Sequence, residues 1–205
     1  MPRPRVSSRA LLWSALSLVA ATGPVGAASR IDHEAQCTYK QLTWDDFRGP
    51  IMEGQQVAWI SATIVLDPVR VDMVDEEGGG VIARARNPGV YALMNKLDSS
   101  AQRGGRTDEN LAHEQIHFDL TEYLARRLSR ELRELTVEGA TRSEQLERDL
   151  LLAVQERYNQ TLSDLERLQQ EYDGETSHGR RGGAQRKWGE KAASLLASEK
   201  PYELK

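Results

Sequence analysis

Between residues 69 and 86 the apolar positions alternate with polar ones, and from Thr107 onward they recur at helical spacing. Residues 37–42 predict a short strand leading into LTWDDFRG (42–49), where Asp45, Asp46 and Gly49 mark a turn behind buried Trp44 and Phe47. Residues 55–66 (QQVAWISATIVL) are rich in Val, Ile, Thr and Trp and stop at Asp67-Pro68. Residues 69–74 and 81–86 alternate on either side of Gly78-Gly79-Gly80, and Asn87-Pro88-Gly89 ends the second run. The pattern predicts three or four antiparallel strands. Residues 91–98 fit either a strand or a short helix, and 99–106 read as a loop.

Thr107 or Asp108 caps a helix whose spacing persists to about Leu135, with Asp108 and Glu109 in its first turn. Gly139 interrupts, and Ser143-Glu144 starts a second long helix ending near Tyr172. Gly174 and HGRRGG (178–183) form a glycine-rich loop before a last helix over 184–197. The charged run 143–171 is a solvated helix face. No internal repeat is present.

The N-terminus changes the picture. Arg3, Arg5 and Arg9 precede an apolar run over 11–21, Gly23-Pro24 breaks it, and Val25-Gly26-Ala27 are small enough for cleavage. That run is short for a membrane-spanning helix, which needs roughly 20 residues. Residues 1–27 therefore read as a signal peptide, and 28–205 as a single exported domain, periplasmic or secreted. Of the 205 residues, 27 are Lys or Arg and 31 Asp or Glu. Loss of the three N-terminal arginines makes the remainder more acidic, which argues against nucleic acid or an anionic membrane surface as partner. Cys37 is the single cysteine, so no intrachain disulfide can form.

Candidate chemistry concentrates in LAHEQIHFDL (111–120). At about 100° per residue, His117 falls about 40° from His113 on a helix, so both imidazoles leave one face a turn apart. Two such nitrogens can bind one Zn²⁺. Glu114 falls at about 100°, beside the ligands, where a general base can take a proton from water. Leu120, Leu124, Leu128 and Leu135 continue the histidine face, all within about 60° of His113, so the histidines head a core-facing stripe. The pattern by itself leaves two readings open: a zinc site, or core histidines satisfied by hydrogen bonds.

The third ligand is open too. Leu120 and Tyr123 stand where a metzincin has glycine and histidine, which excludes that class. Glu138, in TVEGA, is at a usable separation for the thermolysin arrangement but lacks that motif's companions. Glu122, near 180°, points away from His113 and sits four residues before Arg126, an ion-pair spacing. His178 lies in a loop that a helical hairpin returns towards the start of the first helix, with Tyr172, Asp173 and Glu175 in the same turn.

LTWDDFRG, LAHEQIHFDLTEYLAR and YDGETSHGRRGGAQRKW, in that order, resemble a family of exported bacterial proteins described as predicted secreted zinc-dependent proteases, whose domain carries an unknown-function label. The resemblance spans nearly the whole chain after residue 27, with residues 91–106 matching poorly. It implies His113 and His117 as zinc ligands, Glu114 as catalytic acid/base and His178 as third ligand. Phe118 is expected to pack, Asp119 to hydrogen-bond a loop, and Gln185 and Trp188 to pack over the site.

Together these readings predict an α+β fold: a small antiparallel sheet followed by three helices, zincin-like, with the histidine helix packed on the sheet. The function expected is a Zn²⁺-dependent metallopeptidase acting on a peptide or protein substrate, with Tyr172 or Tyr123 as oxyanion stabiliser. The alternatives are a non-catalytic zinc-binding or helical scaffold of the cell envelope and a zinc amidase acting on cell-wall peptides.

Overall fold

The computed structural model of the protein describes residues 31–51 and 57–201. The signal-peptide reading of residues 1–27 and the first two residues of the 55–66 run lie outside them. The described strands are β1 (Gln36–Thr38), β2 (Ala58–Trp59), β3 (Ala62–Leu66), β4 (Arg70–Asp75), β5 (Val81–Arg86), β6 (Val90–Asn95), β7 (Ser100–Ala101) and β8 (Thr136–Gly139). The helices are α1 (Asp108–Glu134), α2 (Glu144–Thr176) and α3 (Gly182–Ser198). The chain is thus a mixed α/β protein with small antiparallel sheets and three helices.

The strands form three sheets, in orders β1-β6-β3, β2-β7 and β4-β5-β8, with every pairing antiparallel. β6 resolves the ambiguity over 91–98. Val90, Tyr91, Ala92 and Met94 are all buried, as a central strand covered on both faces requires, and a two-faced apolar run carries no alternation to read. Ser100 and Ala101, expected in a loop, pair with Trp59 and Ala58. Gly49 is held against this region: a Cβ there would stand 2.6 Å from the carbonyl oxygen of Leu97. β8 corrects the expectation of a bare interruption near Gly139. Leu135 leaves α1 in an extended conformation, and the β-branched Thr136 and Val137 then add to the edge of β5.

Both helix starts follow their caps. Thr107 Oγ1 accepts from the backbone N–H of Asn110 at 3.2 Å, and Ser143 Oγ from that of Leu146 at 3.1 Å. The end of α2 differs from expectation. Gly174 does not stop the helix, since a glycine inside a helix costs only about 1 kcal/mol. The helix runs on to Thr176 and ends in three consecutive left-handed residues, Ser177, His178 and Gly179.

α1 packs against β6, β3 and β5 and against both α2 and α3, and α2 in turn reaches the strands, with Tyr158 donating to the Ile64 carbonyl at 2.9 Å. The burial of α1 is therefore wider than a stripe. Phe118, Leu124, Ala125, Leu128 and Leu132 join the main core with the strands, while Ile116 and Leu120 meet Tyr172, Trp188 and Ala192 in a smaller cluster beneath α3. Phe47 is buried as expected, whereas Trp44 is half-buried against it, with ring centroids 5.1 Å apart.

Replacing Leu128, completely buried in the C-terminal half of α1, by Ala should cost about 2–5 kcal/mol of stability. Leu152, 63% exposed on α2, should change by less than about 0.5 kcal/mol on the same replacement. Urea denaturation of the two variants checks the pair.

Candidate metal centre

The first turns of α1 carry His113 and His117 four residues apart, and the two rings meet edge to face at 4.7 Å. Their Nε2 atoms lie 3.2 Å apart. α2 brings Asp173 to the same point: its Oδ1 stands 3.2 Å from His113 Nε2 and 3.1 Å from His117 Nε2. These three side chains place ligand atoms within 4.8 Å of one another, with both histidines buried.

His178 Nδ1 lies 3.3 Å from the same Asp173 oxygen, on a side chain 43% exposed. Three imidazoles thus surround one carboxylate oxygen, with Asp173 in the middle. The left-handed turn makes this possible. The His178 N–H bonds back to Asp173 O at 3.0 Å, and Gly179, at φ +78°, lies flat on the His113 ring, where a Cβ would stand 3.3 Å from Cγ. Asp173 is the residue that sequence reasoning did not assign. Gly174 marks a helix end by sequence and so sets Asp173 in a loop, whereas the helix runs through both.

The donor set fits zinc. Donor atoms of a tetrahedral zinc centre stand about 3.3 Å apart, close to the distances among His113, His117 and Asp173. Two neutral imidazole nitrogens and a carboxylate oxygen facing one another repel unless they share a cation. In the metal-free protein a proton serves. Burial works against ionisation of both Asp173 and His117, yet their hydrogen bond wins. Hydrogen bonds from His113 and then His117 hold the Asp173 carboxyl well below the usual range, and the bond to Asp173 pushes His117 up, helped by the charge of Glu114.

Glu114, 3% exposed, lies beside this cluster. Burial raises its pKa, partly opposed by His117, His113 and a hydrogen bond from the backbone N–H of Ile60. The segment joining β2 to β3 therefore passes against the expected base.

Other expected residues fall in several places. Tyr172 is fully buried, and its hydroxyl lies 2.7 Å from His113 Nδ1, on the opposite side of that ring from the cluster. That position orients the ring and does not face an oxyanion. Tyr123 packs against the main core. Glu138 is exposed on β8, which follows the C-terminus of α1, and that end of the helix lies about 25 Å along its axis from His117 at 1.5 Å per residue. The structure brings Asp173, and not Glu138, to the two histidines. Asp119 accepts from Tyr39 at 3.0 Å and Gln115 at 2.8 Å, tying α1 to the segment after β1. Phe118 is completely buried, and Glu122 pairs with Arg126 at 2.8 Å. Gln185 Oε1 lies 3.2 Å from His113 Nδ1 and accepts from Tyr172 at 2.8 Å, while Trp188 packs at a tilt against Tyr172 and donates to Glu175 at 2.7 Å.

A family model described as a bacterial protein of unknown function (DUF922) matches residues 100–179. The matched segment begins in β7, contains all of α1 and α2, and ends on the turn that carries His178. Every residue of the cluster, and Glu114, falls inside it. No curated protein and no solved structure matches the chain.

Burial of Glu114 has a stability consequence. Its folded-state pKa is raised above the unfolded value of about 4.3, so above that pH the folded chain holds a proton that the unfolded chain has lost. Stability therefore falls as pH rises through that window. Glu114→Gln keeps an acceptor for Ile60 and removes the ionisation. It should raise the melting temperature of the metal-free protein at neutral pH and leave it nearly unchanged at about pH 4. Equal shifts at both pH values would show that ionisation is not the cause.

Proposed function

We propose that this protein is an exported zinc-dependent peptide hydrolase of zincin-like architecture. The observation that carries the reading is the convergence of His113 and His117 Nε2 with Asp173 Oδ1, beside a buried glutamate one residue after the first histidine. His113 and His117 would hold the metal, with Asp173 or His178 completing the site. Zinc supplies Lewis-acid polarisation of a carbonyl and acidifies water.

The residues of this chain do the rest. Glu114 takes the proton of the attacking water and passes it to the leaving amine. Its raised pKa suits that exchange, since a base that must also act as an acid works best near the operating pH. β3 is an edge strand whose run-in touches Glu114 through Ile60. An extended peptide adding to that edge would align its backbone beside the base.

A second reading has one observation in its favour. Glu114 is closed off from solvent, so a metal site without catalysis, in an envelope scaffold, also accounts for the cluster. Metal content and hydrolysis of an unfolded protein substrate separate the two. Wild-type protein should carry about one zinc per chain, and His113→Ala should lose it. Glu114→Ala should keep the metal and lose hydrolysis by about 10²–10⁴-fold. Comparing zinc in Asp173→Ala and His178→Ala identifies the third ligand. Zinc bound without hydrolysis in the wild type would favour the scaffold, and absence of zinc would remove both readings.

A further inference from the structure

We infer that Gln169 is a positioning residue that locks His117 in the tautomer whose Nε2 lone pair faces the metal position. The inference rests on the proposed metal centre for its consequence, but not for its geometry. Gln169 sits on α2 one turn before Asp173 and holds both ends of His117. Its Nε2 donates to the backbone carbonyl of His117 at 3.0 Å and to Thr121 Oγ1 at 3.3 Å, and its Oε1 meets His117 Nδ1.

The hydrogens follow from what each atom can do. A backbone carbonyl only accepts, so the amide nitrogen of Gln169 must be the atom facing His117 O. Thr121 spends its own hydrogen on that carbonyl, at 2.9 Å, leaving its oxygen to accept from Gln169. The amide oxygen is thereby turned towards Nδ1. Since it too only accepts, Nδ1 carries a hydrogen, and in the neutral ring Nε2 keeps its lone pair. One side chain thus fixes ring orientation and tautomer together, the role that carboxylates and carbonyls play behind metal-bound histidines.

His113 is held less strictly. Its Nδ1 faces the Tyr172 hydroxyl, which can donate or accept, so the choice there passes to Gln185 Oε1. On its other side His117 Nε2 faces the acceptor-only Asp173 Oδ1 at 3.1 Å, so Gln169 holds the hydrogen on Nδ1 while a cation or a second proton at Nε2 answers the carboxylate.

Long-range proton–nitrogen NMR of the metal-free protein at alkaline pH reads the tautomer directly. Wild type should show His117 protonated on Nδ1 and bare on Nε2. Gln169→Met, close in size but without the acceptor, should show a mixture and bind zinc about 10–100-fold more weakly in a competition titration. Gln169→Glu should restore the Nδ1 hydrogen, because it keeps the acceptor there, but only part of the zinc affinity, because its second oxygen meets the His117 carbonyl with no hydrogen between them. A wild-type His117 protonated on Nε2, or a Gln169→Met protein that binds zinc as tightly as wild type, would overturn the inference. If wild type takes up no zinc, the proposed function fails, and the tautomer of the metal-free protein still decides the role of Gln169.

Discussion

Three electron-rich atoms, Nε2 of His113, Nε2 of His117 and Oδ1 of Asp173, meet within hydrogen-bond distance of one another in a largely buried place. Left to themselves they repel, and only a shared cation makes the arrangement favourable. Much of the fold serves to keep them there. α1 is packed against strands and helices so that its histidines cannot swing to water. α2 runs four residues past the tyrosine where its pattern fades, and so delivers Asp173. The left-handed turn after it folds Gly179 onto the His113 ring and His178 onto the carboxylate.

α2 reaches the two rings through Gln169, Tyr172 and Asp173, spaced so that all three lie on one helical face. Tyr172 and Gln169 take the backs of the rings while Asp173 takes the front. The same economy runs along α1. Gln115 and Glu122 are buried, and each finds partners on two elements: Gln115 accepts the N–H of Leu42 at 2.7 Å and donates to Asp119, while Glu122 pairs with Arg126 and takes a hydrogen bond from the Ala92 backbone. Buried polar groups thus fix the angle at which the helix lies on β6, a task that apolar packing alone performs less specifically.

The parts legible in the chain were those with local causes. Caps at Thr107 and Ser143, alternation in β4 and β5, and the relation of His113, Glu114 and His117 all follow from backbone periodicity. The parts that local pattern does not carry have distant causes. β6 shows no alternation because elements far along the chain cover both its faces. Thr136 and Val137 become a strand only because β5 offers them an open edge. Gly174 read as a helix end, and the packing of Tyr172 and Thr176 carries the helix through it.

The sequence by itself determined that two histidines and a glutamate share the first turns of a long amphipathic helix, since their relative angles depend only on 3.6 residues per turn. It determined too that these histidines head a core-facing stripe. Only the tertiary structure decided what stands opposite them. Asp173, Gln169 and Tyr172 lie more than fifty positions away, and it is Asp173, not Glu138, that the fold brings to the histidines. No local pattern reports a distance across two helices. That distance is set by how α2 and α3 pack against α1, and the chemistry of the site depends on it.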